Sequence, residues 1–396
     1  MTDARLEERV RSALRVGADL EGPSLDRAPN VASRARHRLL QNAIAVGIVT
    51  LIVLAASVSA LGSIVRSERP LPATSPTPSS GSGDGRIAYV EGSEIWTVRA
   101  DGTGAQQLTR CTEPCHTLPD STIAAMAWSP DGSEVAFSRV SEKAVGPGFG
   151  PLYVVSEDGS LLRRLTGKGF LDADPVWSPD GSKIAFARYG RSGRAWVYVV
   201  DAAGGKETLI DTGHFYDLVW SPDGSSIAYE AWRHDRMVLF SARADGSDRA
   251  VLAEGPRARP RNLYYLALSP DWGRVAYSLT ATTPEGNRAQ LWVADLSGGK
   301  PMLIASRATR YPLSLSWSPD GARMTFWDYH GQAFEIRADG TGLRPLGQTS
   351  ETPTFAPGGQ EVAIVVDGHL RLVRADGSSS DLWVHTSGQV AWQPRS

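Results

Sequence analysis

Along most of this chain, short apolar runs alternate with turn-forming polar residues at a fixed beat. The phrase Trp-Ser-Pro-Asp-Gly stands whole at Trp128–Gly132, Trp177–Gly181, Trp220–Gly224 and Trp317–Gly321. Weaker copies occur at Leu268-Ser269-Pro270-Asp271 and Phe355-Ala356-Pro357-Gly358. A buried-looking run of the Ile-Ala-Phe type follows each of them. Its small central residue falls at Ala88, Ala136, Ala185, Ala228, Ala276, Thr325 and Ala363, at intervals of 48, 49, 43, 48, 49 and 38 residues. Within one period the third copy reads as four strands: Val176-Trp177, Ile184–Ala187, Trp196–Val200 and Glu207–Ile210. Pro179 sets φ for the first turn and Gly181 supplies the positive φ that ends it. A second turn of the Ala-Asp-Gly kind separates the last two strands, as at Ala100–Gly102, Ala244–Gly246, Ala338–Gly340 and Ala375–Gly377. Four short strands per 40–50 residues predict one propeller blade per repeat.

Seven Ile-Ala-Phe runs are matched by only six preceding Trp-Ser-Pro-like strands. The missing one stands at the far end, as Val390-Ala391-Trp392-Gln393-Pro394. The C-terminal strand is therefore expected to complete the blade begun by Ile87-Ala88-Tyr89, closing the ring and hiding sheet edges. The expected domain is an all-β, seven-bladed β-propeller over 84–396, with six or eight blades as the alternatives.

The repeat resembles the WD40-like (PD40) repeat of TolB-type propellers. The shared elements are Trp-Ser-Pro-Asp-Gly-x-x-Ile-Ala-Phe, then Tyr-Val-Val, then Arg163-Arg164-Leu165-Thr166. The resemblance covers 84–396 and implies the fold while saying little about activity. It departs from TolB in blade number, since the TolB ring has six, so no TolB partner-binding residue carries over.

Before the propeller the pattern changes. Residues 39–65 hold no charged side chain, and Ala43–Val65 is long enough to span a bilayer. Arg34, Arg36 and Arg38 precede it, and Arg66 and Arg69 follow, which favours a cytoplasmic N-terminus and an extracytoplasmic propeller. The second reading is a cleaved signal ending near Val58-Ser59-Ala60, against which stands the long upstream segment. Residues 1–42 form the cytoplasmic tail, in which Leu6, Val10 and Leu14 mark either a short amphipathic helix or a solvated tail. Residues 66–83 are rich in Pro, Ser and Gly and read as a linker.

With 41 basic and 43 acidic residues, the chain lacks the charge excess of a nucleic-acid binder. The two cysteines, Cys111 and Cys115, are expected to pair in an exported domain. Zinc on Cys111, Cys115 and His116, or haem attachment, are the weaker alternatives. No nucleophile elbow, zinc-protease helix or phosphate loop is present. No cofactor, metal site or catalytic residue is therefore assigned. The Asp of each turn is explained by turn chemistry before calcium is invoked.

Both turn families must emerge on one side of the ring. The opposite side carries the variable loops, including Arg188–Arg194, and these hold the expected ligand-binding residues: Trp232, Arg233, His234, Arg257, Arg259, Arg261, Tyr264, Arg310 and Tyr311. Guanidinium and aromatic groups together suit a protein or an envelope glycan. The competing reading is scattered solvated residues, with some tyrosines belonging to a first strand. Asp172, Asp174, Asp211 and Asp217 are the carboxylates placed for acid–base work if the ring is an enzyme, an envelope hydrolase or lyase. The oligomeric state is not legible.

Overall fold

The computed structural model describes residues 85–394, apart from 111–120, 142–147, 168–170, 191–194, 214, 234–235, 255–262, 284–285, 299, 308–311, 329 and 387. The tail, apolar span and linker expected over 1–83 lie outside the described residues. Among the described residues no helix is long and apolar enough to cross a membrane.

Seven four-stranded antiparallel sheets make seven blades. Blade 2, for example, runs Ser121–Trp128, Glu134–Ser141, Gly148–Ser156, Leu162–Arg164 from axis to rim. Blade 3 runs Leu171–Trp177, Lys183–Tyr189, Ala195–Asp201, Thr208–Gly213, and blade 4 runs Phe215–Trp220, Ser226–Arg233, Arg236–Arg243, Ala250–Glu254. Blades 5, 6 and 7 repeat the order from Leu263–Leu268, Pro312–Trp317 and Thr354–Phe355. Blade 1 is assembled from both chain ends. Its first strand is Ala391–Trp392, followed by Arg86–Glu91, Glu94–Arg99 and Gln106–Gln107. Ile87 faces Trp392 and Ala88 faces Ala391. Gln393 N donates to Arg86 O at 2.8 Å, and Gln393 Nε2 reaches on to Gly132 O of blade 2 at 2.7 Å. The expected closure is the observed one.

The Ile-Ala-Phe run is the second strand of each blade, and its alternation explains the packing. The large residues face the preceding blade and the small one faces the next. Ala136 packs with Ile184 and Phe186, Ala185 with Ile227 and Tyr229, and Ala228 with Val275 and Tyr277. Ala276 meets Met324 and Phe326, and Ala363 meets Ile87 and Tyr89 across the closure. A larger residue in place of the alanine would push neighbouring blades apart, a typical overpacking cost of about 1–3 kcal/mol. Cross-strand aromatic pairs stiffen the other side, as in Phe137–Tyr153 at 5.5 Å and Phe326–Phe334 at 5.3 Å.

Candidate functional site

The turn face is built from hydrogen bonds that the repeat itself supplies. In blade 3, Ser178 Oγ donates to Asp180 Oδ1 at 2.6 Å, and Ser182 N donates to the same atom at 3.0 Å. Lys183 N returns to Ser178 Oγ at 2.9 Å. The same set recurs around Asp131, Asp223, Asp271 and Asp320. These donors, the serine hydroxyl first, hold Asp180 and Asp223 down to about 2. Gly181 ends the turn at φ 71. The two turn families are also tied to each other: Ala202 N donates to Ser182 O at 2.8 Å, Leu296 N to Gly273 O at 2.9 Å and Ala338 N to Ala322 O at 2.9 Å.

The signature tryptophan joins blades. Its indole N–H donates to a backbone carbonyl of the preceding blade: Trp177 to Ala127 at 3.1 Å, Trp220 to Val176 at 3.0 Å, Trp317 to Ala267 at 2.9 Å and Trp392 to Thr354 at 3.2 Å. In blade 5 the first strand has Leu268 in that position. Trp272, which replaces the turn glycine at φ 56, donates instead to Trp220 O at 3.1 Å. The weak copy of the motif thus keeps the inter-blade bond by moving the indole into the turn.

The opposite face is organised differently. Trp232 and Arg233 belong to the second strand of blade 4, and Arg233 pairs directly with Arg236 on the third. The connection expected over 232–236 is therefore two residues long. Arg233 Nη2 contacts Asp211 Oδ2 of blade 3 at 3.0 Å, and the guanidinium lies 5.2 Å from the Phe240 ring centre. Tyr264 and Tyr265 lie in the first strand of blade 5, where its register shifts. His234, Arg257, Arg259, Arg261, Arg310, Tyr311, Cys111 and Cys115 fall outside the described residues.

Arg188, expected in a loop, is a buried residue of the second strand of blade 3. Its Nε and Nη2 hold Asp172 at 2.6 and 2.9 Å, and Nη1 meets Glu207 at 2.5 Å. Asp172 is fully buried there, which removes it from the set of solvent-facing acids. Arg139, equally buried, donates to Ser93 O of blade 1 at 2.5 Å and lies 3.9 Å from Glu94. Three loop-side arginines thus hold sheets and seams together.

What this face does offer lies nearest the axis. Successive first strands touch one another there, and five of them shift register before the tryptophan position, at 123/125, 173/176, 216/218, 263/266 and 312/314. Such bulges re-aim side chains. Asp174 sits in one of them, exposed, at φ 52, and Asp217 in another. Glu351, four residues before Phe355, precedes the first strand of blade 7, Thr354–Phe355. Thr349 pins its backbone, donating from Oγ1 to Glu351 O at 2.8 Å and accepting from Glu351 N at 3.2 Å. Thr386 holds Gly388 of the closing blade in the same way, at 3.1 and 3.4 Å. Where that blade has a glycine, blade 7 carries a carboxylate, and burial pushes it up to about 7. Sequence reasoning missed Glu351. Its only signal was its register relative to Phe355.

Residues 76–262 match the family model of the TolB beta propeller domain. Among solved structures the chain is similar to the periplasmic gluconolactonase of Pseudomonas aeruginosa, with 15% identity, a TM-score of 0.54 and coverage of 78% of this chain and 99% of that one. It is similar to an oligogalacturonate lyase in complex with manganese, with 14% identity, a TM-score of 0.53 and coverage of 73% and 81%. It is also similar to TolB from Acinetobacter baumannii, with 15% identity, a TM-score of 0.49 and coverage of 78% and 82%. At these identities the likeness establishes the fold alone. No curated protein matches the chain in sequence.

Proposed function

We propose, from the match of residues 76–262 to the TolB beta propeller domain and the seven observed blades, that the protein is a membrane-anchored scaffold or sensor. Its loop face would bind a protein or an envelope glycan. One observation carries this reading. The turn face is consumed by its own hydrogen bonds, whereas the axial end of the loop face carries an exposed Asp174 in a bulged first strand and a half-buried Glu351 ahead of the first strand of blade 7. The chain direction supports it. Arg86–Glu91 starts on the turn face, because it is a second strand. The first described strand of the propeller thus begins on the turn side, opposite the loop face. The test is capture by the full chain in detergent from an envelope extract. Capture should be lost when Arg257, Arg259 and Arg261 become alanine and kept when Ser178 and Asp180 do. The reverse pattern sinks the reading. Protease added to intact protoplasts should release the propeller, and a mature protein starting near Leu61 would replace the anchor with a cleaved signal.

A second reading is an envelope hydrolase or lyase, favoured by Glu351 alone. A carboxyl at about 7 is matched to proton transfer near neutrality. The solved structures of similar fold include a gluconolactonase and an oligogalacturonate lyase, so lactones and uronate oligosaccharides are the substrates to assay. Turnover that Glu351→Gln abolishes would establish this reading, and turnover that survives the change would remove Glu351 from it.

A further inference from the structure

We propose that His369 and His385 form a two-imidazole site for a late first-row divalent cation, Ni²⁺, Cu²⁺ or Zn²⁺, at the loop-face end of blade 7. His369 opens the third strand of that blade, His369–Arg374, and His385 ends the fourth, Ser379–His385. The two are direct partners across the antiparallel ladder. Their rings stand 5.6 Å apart, centre to centre, at 90°, and both residues are exposed. Two imidazoles bound through nitrogen to one tetrahedral ion, at about 2.1 Å each, have centres about 5 Å apart. The observed separation lies within about 1 Å of that value.

The backbone under the pair is fixed on both sides. Thr386 N donates to Gly368 O at 2.7 Å, closing the ladder just beyond the histidines. Further along, Arg371 Nε donates to Asp381 Oδ1 at 2.6 Å. Asp367 and Gly368 make the tight turn before His369, at φ 50 and 76. A Cβ on Gly368 would come within 2.9 Å of His385 Nε2, so the glycine leaves room for the ring. The ligands are thus brought together by the fold before any metal arrives, and no loop has to be ordered on binding. Neutral imidazole suits these ions better than it suits Mg²⁺ or Ca²⁺. Among the described residues no third His, Cys, Asp or Glu completes a cluster. The remaining coordination positions would belong to water or to a group brought by a ligand.

The test is calorimetric titration of the full chain with Ni²⁺, comparing wild type with His369→Gln, His385→Gln and His330→Gln. The expected result is one ion bound, with affinity lowered at least about tenfold by either blade 7 change and unaltered by His330→Gln. Melting curves of the variants establish that each remains folded. Ni²⁺ affinity unaffected by both blade 7 changes would overturn the proposal and direct attention to Cys111, Cys115 and His116. Absence of Ni²⁺ binding to wild type would overturn it as well.

Discussion

The two faces of this ring are made from the same four-stranded blades, yet they spend their polar groups in opposite ways. On the turn face one device recurs in blades 2 to 6: Ser, Asp and backbone N–H groups close the first turn, and an indole ties it back to the preceding blade or a guanidinium forward to the next. Arg274 Nη2, for instance, donates to Gly321 O at 2.6 Å. On the loop face the guanidiniums are used in different ways: Arg139 reaches Ser93 of blade 1 and Arg233 reaches Asp211 of blade 3 across seams, whereas Arg188 ties Asp172 and Glu207 together within blade 3. Uniformity marks the surface that maintains the ring, and variety marks the surface free to acquire a specific task.

The comparison breaks most severely at the closure, which belongs to the turn-face system. Deleting residues 388–396 removes the buried Trp392, its bond to Thr354 O and the first strand of blade 1. The loss should exceed the about 3–5 kcal/mol typical of deleting a buried tryptophan side chain. Thermal unfolding should lose its single cooperative transition or shift down by ten degrees or more on the order expected for such a loss. An unchanged melting temperature would sink the closure as a stabilising element.

A smaller effect is expected from Trp220→Phe. Val176 O would lose its indole donor at 3.0 Å, a cost of about 1–3 kcal/mol for a buried carbonyl left unpaired. Trp272→Phe should cost a similar amount through Trp220 O. If Trp272→Phe is neutral in urea melts while Trp220→Phe is not, the blade 5 tryptophan is not the substitute for the missing one.

Acidity separates the faces by sign. Asp180 and Asp223 are depressed to about 2 in the folded protein. The unfolded chain takes up their protons first, so their contribution is present above pH ~4 and is lost as pH falls towards 2. Glu351 is raised to about 7. The unfolded chain ionises first there, so the folded state loses stability between about pH 4.5 and 7 and stays at the lower level above that. Glu351→Gln should therefore stabilise the protein by about 1–3 kcal/mol at pH 8 and hardly at all at pH 5. Equal effects at both values in denaturant titrations would show that Glu351 is ordinarily ionised.

The smallest stability effect is expected from replacing Arg257, Arg259 and Arg261 with alanine. Changes in solvent-facing loops lie within about 0.5 kcal/mol each, so, on the proposed reading, a large loss of ligand capture would reflect binding and not unfolding. A melting point lowered as far as in Trp220→Phe would place these arginines with Arg139 and Arg233, as seam-holding groups.

Much of this protein was legible from pattern alone. The blade count, the order of strands within a blade, the ring closure by Trp392 and the common side of the two turn families all follow from the spacing of Trp-Ser-Pro-Asp-Gly and Ile-Ala-Phe. Each of those motifs acts locally, through proline and glycine torsions or strand alternation, so the chain carries the information where it is used. Tertiary structure decided what the unrepeated side chains do. Arg188 and Arg233 read as loop cations, but each found a carboxylate: Asp172 lies 16 residues from Arg188 and Asp211 lies 22 from Arg233. Trp272 stands in a weaker copy of the motif, and the carbonyl of Trp220 in the preceding blade gave it a role. Glu351 has an ordinary carboxylate's sequence context, and only burial beside the axis changes its proton affinity. Torsional preferences belong to single residues and are written in the chain. Burial, ion pairing and proton affinity depend on which distant atoms become neighbours, and that is settled only when seven blades close on one another.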